Sequence, residues 1–146
     1  MNTLTLAIRL EPTKGPDSDE CFHIDTDLRV DGLLVAPGNY DIDIAALSAS
    51  KMDAGELFIV TCTCGSAGCA GIYRGVEVTH GDNEIIWHIR EPGPERHFRF
   101  NADQYRATVA SAIADFRLSL QVLESDARVL PCGNAYYFFF ATLTRQ

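Results

Sequence analysis

The sequence predicts an α+β fold in one domain: an antiparallel sheet of six or seven strands packed on one face by a long helix. Three observations predict it. Short segments alternating apolar and polar residues recur along most of the chain, as in TLTLAIRLE (3–11). Turn residues separate those segments, and one stretch near 101–123 changes to helical periodicity. A chain of 146 residues fits a single domain, 1–146, long enough to bury a core without staples.

The elements follow in order. In TLTLAIRLE, Leu4, Leu6, Ile8 and Leu10 fall on one face and Thr3, Thr5 and Arg9 on the other, which describes a half-buried strand. EPTKGPDSDE (11–20) is a loop, and CFHIDTDLRVDGLLV (21–35) holds a strand or two around an Asp31-Gly32 turn. APGNYDIDIAAL (36–47) opens with a turn and continues as a strand through Tyr40, Ile42 and Ile44. Two hairpins follow. LFIVTCTC (57–64) and CAGIYRGVEV (69–78) flank GSAG, and GVEVT and EIIWHIR (84–90) flank HGDN. Ile85, Trp87 and Ile89 face the core, leaving Ile86, His88 and Arg90 opposite.

After the loop EPGPER (91–96), HFRF (97–100) is a strand that runs into the helix. Asn101 is a good N-cap, with Gln104 at the capping-box position and Asp103 in the first turn. Tyr105, Val109, Ala112, Ile113, Phe116, Leu120 and Leu123 then form one apolar stripe. Finally, NAYYFFFATLT (134–144) is apolar on both faces, the mark of a strand covered on both sides.

Charge narrows the function classes. Twenty acids against twelve bases give a net charge of −8, and no lysine/arginine cluster exists to neutralise phosphates, so nucleic-acid binding is disfavoured. The same charge suits a basic protein partner. The apolar runs are too short to cross a bilayer, and MNTLTLAIRLEP lacks the pattern of a secretory signal. A cytoplasmic setting, with reduced thiols, is the expectation.

Three of the five cysteines fall in CTCGSAGC (62–69). With GSAG as a four-residue turn, Cys64 faces Cys69, Cys62 faces Gly71 and Phe58 faces Gly75. Directly opposed residues lie about 4.5–5.5 Å apart, within disulfide range, though a cytoplasmic setting argues against a permanent bond. Zinc needs a fourth ligand beside Cys62, Cys64 and Cys69. A turn at 80–83 sets Thr79 against Glu84 and Gly75 against His88, which leaves His88 roughly 13 Å along the strand from Cys62. His80 lies further still. His97 is better placed and completes the alternative set Cys62, Cys64, Cys69 and His97, while Cys21, His23 and Cys132 stay open as fourth ligands because their strand order is not set by the sequence. A nucleophilic thiol at Cys64 or Cys69 would need a base that this register keeps away. The structural reading makes Cys62, Cys64, Gly65, Gly68, Cys69 and Gly71 a tight packed turn, with glycines allowing positive φ and close approach. On this reading no catalytic residue is assigned and no cofactor is needed, zinc being the alternative.

DTDLRVDG (25–32) lacks the offsets of a calcium loop. Asp25, Asp27, Asp41 and Asp43 instead alternate with apolar residues and together would form an acidic sheet face suited to a basic protein.

The segment LFIVTCTCGSAGCAGIYRGVEV, followed by IIWHI and FRFNADQY, resembles a group of small acidic bacterial proteins with a C-x-C-G-x-x-G-C-x-G hairpin ahead of a tryptophan strand and a helix. The resemblance spans roughly residues 28 to 125 and implies an immunity or accessory partner of a basic toxin domain. Cys62, Cys64, Gly65, Gly68, Cys69 and Gly71 carry it, and it brings no catalytic or binding residue with it.

Overall fold

A computed structural model describes residues 1–14, 20–36, 38, 40–62, 66–124 and 130–131. The apolar stretch 134–144, expected as a strand, lies outside them, as do Cys64 and Gly65.

The alternation at the start of the chain gives β1 (Leu4–Lys14), which pairs antiparallel with β2 (Glu20–Val30) along its whole length. Asp31 and Gly32 adopt positive φ, 52° and 84°, and return the chain into β3 (Leu33–Leu34) against β2. Two residues of that conformation match the right-handed twist of the strands they join. The Asp31 carboxylate accepts hydrogen bonds from Asn2 Nδ2 at 2.6 Å and the Thr3 N–H at 2.8 Å.

β4 (Tyr40–Ile42) is short because the chain turns into a helix, α1 (Ile44–Ala49), where alternation predicts more strand. Asp43 is the N-cap, its side chain accepting from the Ala46 N–H at 3.0 Å. The Tyr40–Ile42–Ile44 alternation hid this start, which a capping aspartate ahead of alanines signals.

The central sheet has the order β5 (Gly55–Leu57), β7 (Val76–Gly81), β8 (Glu84–Ile89), β9 (Arg96–Asn101), all antiparallel; β6 (Val60–Cys62) pairs instead with β4. The strands therefore divide among separate sheets. β10 (Leu130–Pro131) runs parallel to β2. Asn2 joins the two larger sheets, its N–H donating to the Arg99 carbonyl at 2.7 Å.

Helix α2 (Ala102–Glu124) matches the sequence reading closely. Its first turn is capped by Asn101 Oδ1, which accepts from the Gln104 N–H at 3.0 Å. Tyr105, Val109, Ile113, Phe116 and Leu120 are buried and pack over β1, β8 and β9. The core centres on Trp87, fully buried, with Phe100 and Tyr105 edge-on to it at ring separations of 5.3 and 5.8 Å. Burial pushes the Tyr105 phenol well above its ordinary pKa; its hydroxyl donates to Ser50 Oγ at 2.6 Å, and Ser50 Oγ donates to the Leu47 carbonyl. His80 Nε2 meets the Ser50 carbonyl at 2.9 Å, so one buried serine ties α1 to the sheet and to α2.

Candidate functional site

The helix covers one face of the central sheet. The opposite face carries a continuous cross-strand row, Glu56, Glu77, His88 and His97, set by the pairings Glu56↔Glu77, Glu77↔His88 and His88↔His97. The faces are those that alternation assigns. The partners differ, because the β7–β8 connection is the two-residue turn Asp82–Asn83, with Asn83 at φ 57° and Gly81 paired to Glu84. Thr79 therefore opposes Ile86, not Glu84, and Glu77 rather than Gly75 opposes His88. A two-residue slip keeps every side chain on its face and changes every neighbour.

His88 and His97 stack, ring centroids 4.1 Å apart and planes within 16°. The loop between β8 and β9 then brings back Glu95, whose Oε1 is hydrogen-bonded to His88 Nε2 and lies 4.0 Å from His97 Nε2. On the other side of the His88 ring, Nδ1 is 3.7 Å from Glu77 Oε2, which also accepts from Arg90 Nη1 at 3.0 Å. The Glu95 carboxyl is held below its ordinary pKa, first by its hydrogen bond with His88 and then by that ring's charge. His88 is largely covered, 18% exposed, whereas His97 and Glu95 open to solvent at 64% and 62%.

One donor atom from each of His88, Glu95 and His97 lies within 4.8 Å of the other two. Bonds of about 2.1 Å to a tetrahedral ion place donors roughly 3.4 Å apart, so small side-chain rotations would bring these three onto one ion. Two imidazoles and a carboxylate suit zinc and its transition-metal neighbours better than calcium or magnesium, which favour all-oxygen sites.

The cysteine segment is built differently from its expected hairpin. The register holds at the base, Leu57 opposite Val76, and the ladder stops there. At Phe58–Ile59 the chain bends, the Ile59 N–H donating to the Leu57 carbonyl at 3.0 Å, and it passes to the other sheet, where Cys62 faces Tyr40 rather than Gly71. The physical reason is that Ile59, Val60 and Thr61 are all buried, which one alternating strand cannot achieve. Cys69 is exposed on a 3₁₀ turn (Gly68–Ala70) rather than on a strand, and its expected partner Cys64 lies outside the described residues. Gly71, at φ 77°, closes that turn, the positive-φ role expected of it, while Gly68 has no such φ.

His97 therefore keeps the company of His88 and Glu95, not of Cys62 or Cys69, among the described residues. His88, set aside in the sequence as a sheet histidine, is the centre of the cluster, and Glu95 and Glu77 were missed. The signal is HIREPGPERH (88–97): with Ile89 opposite Arg96, the two histidines must face each other.

The four aspartates do not share one face. Asp25 pairs with Arg9 at 3.1 Å and Asp27 with Arg29 at 2.7 Å on the outer side of β2. Asp41 accepts from the Ile42 N–H and from Thr26 Oγ1, on the opposite side of β2, and Asp43 caps α1. Among the described residues no helix is long and apolar enough to cross a membrane. Comparison with protein-family models, with curated proteins and with solved structures gave no significant match.

Proposed function

We propose that this protein is a binding protein for a divalent transition-metal ion of the zinc class, held by His88, His97 and Glu95. The observation that carries the reading is the convergence within 4.8 Å of three side chains able to ligate a metal, two from the paired strands β8 and β9 and one from the loop that joins them. Strand pairing fixes both histidines, and Glu77 behind the His88 ring is placed as the carboxylate that commonly orients a metal-bound imidazole. Compared with the zinc alternative drawn from the cysteine pattern, this reading shares one ligand, His97, and differs in the rest. A thiol enzyme is less well supported, because three histidines have other engagements: His80 contacts the Ser50 carbonyl, and His88 and His97 attend Glu95.

Equilibrium dialysis against zinc at neutral pH tests this, with retained metal counted per chain. Wild type should hold one ion, and His88→Ala or His97→Ala should weaken binding more than about tenfold. Cys62→Ser and Cys69→Ser should leave it unchanged. Retention that follows the cysteines, or that ignores both histidines, refutes the assignment.

A basic protein partner, of the kind met by an immunity-type inhibitor, is the second reading, favoured by the net charge of −8. Since the four aspartates are each committed within the chain, such a partner would meet other carboxylates, the exposed Glu56 among them.

A further inference from the structure

We infer that Arg96 is the positioning residue of the metal site and acts on it through Glu95. The inference rests on the metal reading above. Glu95 comes from the turn EPGPE (91–95) and is mostly solvent-exposed, so nothing in its own strand pairing holds it over the histidines. Freezing a glutamate side chain costs rotamer entropy, and a ligand on a loose loop bears that cost at each binding event.

The neighbouring arginine removes the looseness. Arg96 extends from β9 toward the core side of the sheet, opposite in facing to His97, and its guanidinium donates to three carbonyls. Nη2 reaches Pro92 at 2.9 Å, Nε reaches Pro94 at 3.2 Å, and Nη1 reaches Val35 at 3.0 Å. Val35 is itself fixed: it is 1% exposed, and its N–H donates to the Leu28 carbonyl at 3.0 Å. The guanidinium therefore bolts both proline carbonyls, on either side of Gly93, to the β2–β3 return. Glu95 follows Pro94 directly, and its backbone is set before any ion arrives. A second tether acts at the other end of the loop, where the Glu91 carboxylate accepts the N–H groups of Tyr73 at 2.7 Å and Arg74 at 3.1 Å. The guanidinium spreads these donors over three nitrogens in one fixed plane, whereas an ammonium offers its three from a single atom.

Calorimetric titration with zinc of wild type, Arg96→Met, Glu95→Ala and the double variant tests this, each first checked for folding by circular dichroism. Arg96→Lys serves as the milder second variant. Arg96→Met should lose about ten- to hundredfold in affinity, the usual effect of removing a group that orients a ligand. In the Glu95→Ala background the same substitution should change nothing further. An equal loss in both backgrounds marks a general stabilising role and overturns the inference, as does unaltered affinity of Arg96→Met. The metal-free protein gives a separate readout. The nuclear Overhauser contact between Glu95 Hγ and His88 Hε1 should be present in wild type and lost in Arg96→Met; its persistence overturns the positioning role. Absence of zinc binding by wild type defeats the metal reading instead, whatever that contact does.

Discussion

The β8–β9 hairpin and the segment from Gly55 to Arg74 each carry residues of types that can ligate a metal, and they behave in opposite ways. In the hairpin, Ile85, Trp87 and Ile89 are fully buried while His88 and Arg90 face out, so a single slip by one residue would expose the tryptophan. Burial fixes which face each side chain takes, and the length of the turn then fixes which donors meet. In the cysteine segment three consecutive residues, Ile59, Val60 and Thr61, are buried, and no single strand satisfies all three. The chain bends, changes sheets, and separates residues that a hairpin would have joined. Donor spacing along a sequence therefore means little until the burial pattern says whether the strand continues.

The sharpest way to test that contrast is to remove the buried residue that fixes the facing of β8. Trp87→Ala empties the centre of the core, against Phe100 and Tyr105, and should cost about 3–5 kcal/mol in urea unfolding. Phe58→Ala, at the bend and 39% exposed, should cost less than about 1 kcal/mol. Comparable losses at the two positions would mean that the bend is as well packed as the hairpin, and the comparison would fail.

A smaller effect separates the turn from the thiols it carries. A Cβ on Gly71 would meet no atom within 4 Å, so the cost of Gly71→Ala is confined to its backbone φ of 77°, about 1–2 kcal/mol. Gly71→Asn should recover part of it, since asparagine tolerates that conformation. Thermal unfolding of the two variants checks the order. An alanine variant as stable as wild type would show that the 3₁₀ turn does not close as described.

How much of this was legible in the sequence follows from the same physics. Helix α2 could be read almost to the residue, because its cap at Asn101 and its stripe from Tyr105 to Leu120 are local signals. The Asp31-Gly32 turn was equally plain. The faces of β8 were right because alternation has a period of two, and the two-residue error at the Asp82–Asn83 turn cannot disturb it. Pairing across strands was not legible, since it depends on turn length, and Glu77 and Glu95 were missed for that reason. Asp43 was read as strand because three alternating apolar residues outweighed a capping signal. The handover at Phe58–Ile59 has no local signature beyond the buried run itself.

The least costly change tests a tether rather than a core, and it does so through pH. Asp31 holds the N-terminal residues to the β2–β3 turn, and its carboxyl is lowered from 3.8, first by the Thr3 N–H and then by Asn2. A carboxyl lowered in the folded state binds protons less readily there than in the unfolded chain. Its contribution is thus fully present above 3.8 and is lost as pH falls through the lower folded value. Asp31→Asn keeps a residue that accepts the φ of 52° but removes the charge. Wild type should therefore be the more stable at pH 7, by a shift in urea midpoint that shrinks as pH falls below 3.8. A gap that stays constant into acid would assign the effect to the shape of the turn, and a gap that widens would reverse the sign of the linkage.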